Sequence, residues 1–253
     1  MSSLAKRAIA LIPARAGSKR VKNKNIYRLN GHPLIAYTIS AAIESKVFEK
    51  IFVSTESAEY AKIAMHYGAS VEFLRPQEFA TDVSPDIDWV EFSLNELGKR
   101  GQNFDLFSIL RPTSPLRTSS TIQRAFAEFM SDKSADSLRA VELCTQHPGK
   151  MWRIVEERLV PVMARIDSGV DWFSSPTQTL PEVWVQNASL EFAHASCVLS
   201  DRSITGKVIR PFKTKYPEGF DVNIPEDISR IENLVFVSSK ILPVIKQLPF
   251  EYE

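Results

Sequence analysis

The sequence predicts an α/β protein built on a doubly wound, mainly parallel β-sheet. Short apolar runs alternate with segments whose apolar residues recur at helical spacing, and this alternation covers most of the chain. Runs such as residues 106–110 are almost continuously apolar, which is typical of strands that are buried on both faces. Because strands that alternate with helices pair in parallel through right-handed crossovers, helices are expected on both faces of the sheet.

The predicted elements follow one another in a regular order. Ile35, Ile39 and Ala42 recur at helical spacing after a turn at residues 31–33, so they mark the first crossover helix. Later helices show the same spacing, and the strands are β-rich runs between turns. The predicted strands are 8–13, 50–54, 70–74, 106–110, 137–143, 187–193 and 208–212, and the later helices are 58–67, 87–97, 120–130 and 225–237.

The regular order is interrupted between residues 147 and 186. This stretch contains four prolines and the tryptophans Trp152, Trp172 and Trp184 among short β-like pieces. The tryptophans fit either a small local core, which is the commoner role, or a surface for a partner. With 253 residues, 44% of them hydrophobic, we expect one domain over 1–253 with 147–186 as an insertion.

Composition excludes several classes of function. The net charge of +1, with 24% charged residues, gives no overall basic field, so neither nucleic acid nor an anionic membrane is an expected partner. No run approaches the roughly 20 apolar residues that a membrane-spanning helix needs, and the N-terminus lacks a signal-peptide pattern. Cys144 and Cys197 are far apart in sequence, which fits a reducing compartment. We therefore expect a cytoplasmic protein.

A basic loop at residues 14–25 follows the first predicted strand. It carries Arg15, Lys19 and Lys24 around the flexible backbone of Gly17. Loops at the carboxyl ends of strands in open α/β sheets are common ligand sites, and backbone N–H groups with cations suit an anion such as a polyphosphate. The loop matches neither common glycine-rich phosphate motif, and its charge alone also fits a solvated surface loop.

Several motifs, taken in order, resemble one family. They are residues 12–19 (IPARAGSK), 24–25, 31–35 (GHPLI), 53–56 (VSTE), 74–82 and 110–117 (LRPTSPLR). Together they resemble the cytidylyltransferases that activate acidic sugars, namely the CMP-N-acetylneuraminate synthetases and their relatives for Kdo, legionaminic and pseudaminic acids. The resemblance covers most of the chain. It implies a Rossmann-like fold of the nucleotide-diphospho-sugar transferase type, and a homodimer that buries the inserted segment.

The resemblance also implies a reaction and a nucleotide site. A hydroxyl of a 2-keto sugar acid attacks the α-phosphorus of CTP, which gives a CMP-sugar and pyrophosphate. Arg15, Lys19, Lys24 and Asp221 are the expected catalytic residues, because phosphoryl transfer depends on alignment and charge neutralisation. The expected nucleotide-binding residues are Ala14, Arg15, Gly17, Ser18, Asn25, Arg75, Asp86, Pro112 and Thr113.

A magnesium ion is the expected cofactor, with manganese as an alternative. Relatives carry an Asp-x-Asp motif before the last helix, and this chain has Asp221 and Asn223 there. The alternation of an extended segment puts both side chains on one face, as a shared ion requires. Asn223 also has the spacing of a helix N-cap with Glu226, so it is a cap, a metal ligand or both; we expect the cap first.

The sugar site is expected to include Arg111, Lys150 and Asn187. Sialic-acid enzymes often carry glutamine where Arg111 stands, and an Arg-Pro-Asn run where this chain has Val185-Gln186-Asn187. A sugar carboxylate needs a cationic or multi-donor partner, which Lys150, Arg165 or a residue of a second subunit would supply.

These departures leave three functions open. The first is a synthetase for N-acetylneuraminate or a related nonulosonate, and the second is a CMP-Kdo-type or other sugar nucleotidyltransferase. The third is a catalytically weakened nucleotide-binding protein.

Overall fold

The computed structural model describes residues 6–163 and 169–251. Contacts divide the chain into two compact units. The first unit comprises the chain up to Ala140 together with the chain from Asn187 onward, and the second is Val141–Gln186. No helix in the described ranges is long and apolar enough to cross a membrane.

The secondary structure alternates between strands and helices, as the sequence predicts. The strands are β1 Ala8–Pro13, β2 Arg28–Leu29, β3 His32–Pro33, β4 Lys50–Ser54, β5 Leu106–Ile109, β6 Ser137–Leu143, β7 Trp152–Val155, β8 Arg158–Pro161, β9 Trp184–His194 and β10 Ile209–Lys213. The helices are α1 Leu34–Ser45, α2 Ala58–His66, α3 Asp86–Lys99, α4 Ser119–Ser131, α5 Ala195–Leu199 and α6 Pro225–Val237.

A six-stranded sheet in the order β10-β6-β9-β5-β1-β4 forms the centre of the fold. Strand β1 pairs in parallel with both β4 and β5, and β9 runs antiparallel to β5. Because β1, β4 and β5 are parallel, the loops that follow them emerge at one edge of the sheet.

Both faces of the sheet are covered, and β1 shows this residue by residue. Ala10 and Ile12 pack into the cluster that contains residues of α1 and α4, whereas Ile9 and Leu11 pack into the cluster that contains residues of α3 and α5. This is the period-two alternation of a strand, and it explains why the run is apolar throughout.

The predicted strand at 70–74 is wrong. Only Ser70 forms a bridge, to Phe52 of β4, and residues 71–74 lie outside the sheet. The aromatic ring of Phe73 packs on Phe52 and on Phe92 of α3 instead of continuing a ladder. Here tertiary packing overrides a local β propensity.

In the second unit, β7 and β8 form an antiparallel hairpin. Trp152 lies 4.6 Å from the ring of Phe173, measured between centroids, and Trp172 contacts His147 edge-on. The aromatic residues therefore make a small local cluster. The hairpin also exposes aliphatic side chains, with Ile154 77% exposed.

Candidate active site

A cleft of about 390 Å³ lies in the first unit, beside the ends of β1 and β5. Most of the predicted site residues line it. They are Arg15, Ser18, Lys19, Lys24, Asn25, Arg75, Asp86, Arg111, Pro112, Thr113, Asp221 and Asn223. The basic loop, the 110–117 motif and the segment before α6 therefore meet at one cleft, although they are far apart in sequence.

Two residues of the predicted nucleotide site do not line this cleft. Ala14 is fully buried, and its N–H donates to the Ser54 carbonyl at 2.9 Å. Gly17 lines an adjoining cavity of about 420 Å³, where no atom lies within 4 Å of a Cβ position. Ala14 thus anchors the start of the loop to β4.

The remaining predicted sugar residues also lie outside the lining of the cleft. The Asn187 amide donates to Thr214 Oγ1 at 2.8 Å and accepts from the Ser189 N–H, so it fixes local backbone. Lys150 belongs to the second unit, where its ammonium donates to the carbonyls of Phe173 and Ser175. Arg165 lies outside the described residues.

The basic loop is held in shape by two hydrogen bonds. The Asn25 amide donates to the Arg15 carbonyl at 2.9 Å, which ties the two ends of the loop together. The Ala16 N–H donates to Glu56 Oε1 at 2.7 Å, while Glu56 Oε2 is buried without a hydrogen-bond partner. Glu56 thus connects the loop to the segment that follows β4.

Lys24 joins the basic loop to the segment before α6. Its ammonium donates to the Val222 carbonyl at 2.9 Å, and the Val222 N–H donates in turn to the Thr113 carbonyl at 2.8 Å. Burial lowers the pKa of Lys24, and the charge of nearby Asp221 opposes that shift. The lysine is therefore fixed next to the acidic segment.

Arg75 forms another wall of the cleft. Its Nε donates to Ser54 Oγ at 3.0 Å, and one terminal nitrogen donates to the Ser54 carbonyl at 2.6 Å. The guanidinium carbon lies 5.0 Å from the ring centroid of Trp89, a cation–π distance. Burial lowers the pKa of Arg75 to about 10, which still leaves the side chain charged at neutral pH.

Arg111 is part of a chain of charges that the sequence does not reveal. One of its terminal nitrogens lies 2.5 Å from Asp86 Oδ2 and 3.3 Å from Glu191 Oε1, and Arg139 lies 3.0 Å from the other oxygen of Glu191. Burial alone would raise the pKa of Asp86, but Arg111 holds it below the ordinary value. Two arginines and two carboxylates thus alternate in a network that begins at the cleft with Asp86 and Arg111.

Arg117 lies beneath the cleft and is fully buried. It donates to the carbonyl of Ser189, to Thr38 Oγ1 at 2.9 Å and to the carbonyl of Arg111 at 3.3 Å. Burial lowers its pKa to about 9, and Asp221 opposes the shift. This single side chain connects the 110–117 motif to α1 and β9.

The cap at the start of α6 differs from the expectation for Asn223. The capping carboxylate is Asp227, whose Oδ2 accepts from the N–H groups of Asn223 and Ile224 at 2.8 and 3.1 Å. The Asn223 amide instead donates to Asp221 Oδ2 at 2.5 Å, and Asp221 Oδ1 is buried without a partner. The helix begins at Pro225, one residue later than a cap at Asn223 requires.

Residues 9–167 match the family described as Cytidylyltransferase. The chain belongs to the cytidylyltransferase family. It is therefore a nucleotidyltransferase. The matched range begins in β1 and includes the basic loop and the 110–117 motif, and both of these line the cleft.

Curated relatives match along nearly the whole chain. A protein of Legionella pneumophila named CMP-N,N'-diacetyllegionaminic acid synthase is 32% identical, over 93% of this chain and 99% of its own length. A Campylobacter coli protein named post-translational flagellin modification protein B is 31% identical, over 90% and 94%. An N-acylneuraminate cytidylyltransferase of Streptococcus agalactiae is 30% identical over 90% of this chain but only 53% of its own.

Solved structures support the fold at much lower identity. CMP:2-keto-3-deoxy-manno-octonic acid synthetase, solved with CTP, superimposes with a TM-score of 0.67 at 11% identity, over 91% of this chain and 99% of that one. A 4-diphosphocytidyl-2C-methyl-D-erythritol synthase gives 0.65 at 11% identity, over 92% and 100%. The predicted Rossmann-like fold is confirmed.

The sequence predicted no role for two residues that hold arginines of this cytidylyltransferase cleft. Trp89 is the partner of Arg75, and Glu191 is the partner of Arg111. The sequence did contain a sign of the role of Glu191, because this carboxylate stands between Leu190 and Phe192 in a predicted strand, and buried charges are usually paired. No sequence pattern singles out Trp89, because its spacing within the predicted helix is equally typical of core packing.

The Glu191→Gln variant tests the charge network. The Glu191 side chain is 8% exposed, and its loss leaves Arg111 and Arg139 without a shared anion. We expect the free energy of unfolding to fall by about 3 kcal/mol, as when one partner of a buried ion pair is removed. Urea denaturation measures this.

Glu96→Gln is the matched control for that variant. It removes a carboxylate that pairs with Lys99 and Arg100 along the surface of α3. We expect little change in the free energy of unfolding, because exposed ion pairs contribute little to stability. Equal losses in the two variants would contradict a structural role for the network.

Proposed function

We propose that this cytidylyltransferase transfers the CMP group of CTP to a hydroxyl of a 2-keto sugar acid. The observation that carries the proposal is the meeting of Arg15, Lys19, Lys24 and Asp221 at one cleft. The relatives named for legionaminic and N-acylneuraminic acids, aligned over about nine-tenths of this chain, support an acidic nonulosonate as acceptor.

In the reaction, the sugar hydroxyl oxygen forms a bond to the α-phosphorus. The bond between that phosphorus and the oxygen bridging to the β-phosphate breaks, the hydroxyl proton is released, and pyrophosphate leaves with the electron pair. The triphosphate carries about four negative charges, so it needs several cations. We assign Arg15 and Lys19 to the phosphate oxygens, and Lys24, whose ammonium donates to the Val222 carbonyl, to the charge that develops on the leaving group.

We assign the nucleoside to the wall formed by Arg75, Trp89 and Asp86, together with Pro112 and Thr113. Arg75 presents a charged group that is already fixed by Ser54 and Phe79, so little side-chain freedom is lost when the nucleoside binds. The sugar acid is assigned to the side of the cleft that contains Arg111. Its ordered pairing with Asp86 offers both donors and acceptors to a polyhydroxylated ligand.

We further propose that Asp221 and Asn223 hold a magnesium ion. Asp221 Oδ1 is buried and lacks a hydrogen-bond partner, as an oxygen reserved for a cation would be. Within the described residues no group of three or more His, Cys, Asp or Glu side chains forms a metal site. One carboxylate and one amide oxygen suit Mg²⁺, which keeps waters and takes substrate phosphates as ligands; Mn²⁺ is the alternative. When bound, the ion would neutralise phosphate charge.

A homodimer formed through the second unit is also proposed. Its support is the β7–β8 hairpin, which exposes Ile154, Val155 and Leu159. Contiguous exposed aliphatic side chains commonly mark protein interfaces.

We also propose a cytoplasmic location for the enzyme, since Cys144 and Cys197 are both free thiols and CTP is its proposed substrate.

Pyrophosphate release tests the proposed reaction. With CTP and Mg²⁺, we expect release with one acid among N-acetylneuraminate, legionaminate, pseudaminate, 2-keto-3-deoxynonulosonate and Kdo, and none with ATP, GTP or UTP. Lys24→Met should lower kcat/KM by about 100-fold, as when one preorganised charge contact to a transition state is lost.

The outcomes of that assay separate the three functions. Release with Kdo alone would favour a CMP-Kdo-type nucleotidyltransferase. CTP binding without release for every acid would favour the weakened nucleotide-binding protein. Absence of CTP binding would contradict the proposal altogether.

Asn223→Asp tests the metal site without relying on activity. It places a second carboxylate against Asp221 Oδ2, which now accepts at 2.5 Å from the amide. Like charges at that distance repel, so we expect a lower Tm than wild type in EDTA and a larger rise of Tm on adding Mg²⁺. Differential scanning calorimetry measures both.

The exposed substitution Asn95→Asp, on α3, is the control and should show neither effect. If Asn223→Asp lowers Tm and Mg²⁺ does not restore it, the proposed metal site is wrong.

Light scattering tests the dimer. Wild type should have twice the chain mass of 28.5 kDa. Ile154→Glu, which puts a charge on the exposed hairpin, should give the monomer mass, whereas Phe236→Glu, at a 92% exposed position of α6, should leave the dimer intact. A monomeric wild type would contradict the proposal.

A further inference from the structure

The cations proposed to bind the triphosphate are paired with an acidic side chain in this structure. One terminal nitrogen of Arg15 lies 2.7 Å from Asp82 Oδ1, and the Lys19 ammonium lies 2.5 Å from Asp82 Oδ2. Both oxygens of one carboxylate are therefore used, each by a different cation of the basic loop. Lys19 and Arg15 hold the pKa of Asp82 below its ordinary value, so the carboxylate is charged at neutral pH.

Asp82 is presented by a turn with its own internal hydrogen bonds. The Thr81 N–H and hydroxyl both contact Ser84 Oγ, at 3.2 and 2.6 Å, and Ser84 donates to the Glu78 carbonyl at 2.7 Å. The turn is therefore formed without help from the basic loop. Its carboxylate is a preformed feature opposite Arg15 and Lys19.

The ion pairs lie where two cavities meet. The main cleft and the adjoining cavity share Arg15, Lys19, Thr81 and Asp82 in their linings. A polyphosphate that engages Arg15 and Lys19 from the main cleft approaches the region in which the Asp82 carboxylate lies, and it competes for the N–H groups that now donate to Asp82. The two anions cannot use the same donors at the same time.

We propose that Asp82 is an anionic placeholder that occupies the triphosphate-binding cations and competes with the nucleotide for them. The inference rests on the proposed function, since it takes Arg15 and Lys19 as phosphate ligands. One carboxylate is displaced by a triphosphate of about four charges, because the more highly charged anion interacts more strongly with the same cations. After transfer, Asp82 competes in the same way with pyrophosphate and so weakens the retention of that product.

Isothermal titration calorimetry of Asp82→Asn with CTP and with pyrophosphate, each in Mg²⁺, tests this. Exposed ion pairs are worth little individually, so we expect both ligands to bind about three- to tenfold tighter than to wild type. The gain should shrink at high ionic strength, because partly exposed charges are screened. A gain in affinity cannot arise from loss of folding.

Asp88→Asn is the charge-matched control. It removes an aspartate of α3 that pairs with Arg202 rather than with the basic loop. We expect its affinities for CTP and pyrophosphate to equal those of wild type. If the affinity of Asp88→Asn rose as much as that of Asp82→Asn, a general effect of net charge would explain the gain and the proposed role of Asp82 would be wrong.

Two other results would overturn the inference while leaving the proposed function intact. Unchanged affinity in Asp82→Asn would mean that Asp82 does not compete, and weaker affinity would mean that Asp82 supports ligand binding. The same titrations with Asp82→Ser repeat the test with a second side chain. Circular dichroism checks that this variant folds like wild type. If wild type bound pyrophosphate but no CTP, the proposed function would fail, whereas the pyrophosphate comparison would still decide the role of Asp82.

Discussion

The geometry of the cleft depends on one buried cation, Arg117. Its guanidinium donates to carbonyls at Arg111 and Ser189 and to the Thr38 hydroxyl, so three separate parts of the chain are fixed to one side chain. A buried charge without a directly bonded carboxylate is costly, since desolvation is offset only by dipoles. That cost is offset by what the side chain holds in place, because the Arg111 loop and Ala188 of β9 both line the cleft.

The charges of the cleft are arranged in two different ways. In the network that contains Arg111, two arginines and two carboxylates alternate, and the carboxylate that the arginines share, Glu191, is only 8% exposed. The basic loop has a more exposed arrangement, since the Lys19 side chain is 81% exposed although it pairs with Asp82. Exposed pairs exchange partners at low cost, whereas buried pairs do not. The first arrangement is therefore suited to fixing a ligand's orientation, and the loop to gaining and releasing a highly charged ligand.

Much of this could be predicted from the sequence, and the failures have physical reasons. The apolar alternation predicted the sheet and both of its covered faces, and the family motifs predicted most of the residues that line the cleft. Residues 70–74 failed because the ring of Phe73 gains more from packing on Phe52 than a strand would gain there. The cap at Asn223 failed because the Asn223 amide donates to Asp221 Oδ2 instead and the helix begins at Pro225, with Asp227 accepting from the Asn223 and Ile224 N–H groups. Contacts such as that of Glu191 with Arg139 link distant segments, and no local pattern encodes them.

Neighbouring carboxylates at the start of α6 have different contacts. The Asp227 carboxylate accepts from the N–H groups of Asn223 and Ile224, just before the helix. The Val222 backbone links Lys24 to Thr113, and Asp221 is left with one buried oxygen that has no partner. The cap and the backbone links hold the segment in addition to the contact between Asp221 Oδ2 and the Asn223 amide. Asp227 fixes the start of the helix, whereas one oxygen of Asp221 has no partner and is available to a cation. A preorganised site needs binding groups that other residues hold in place.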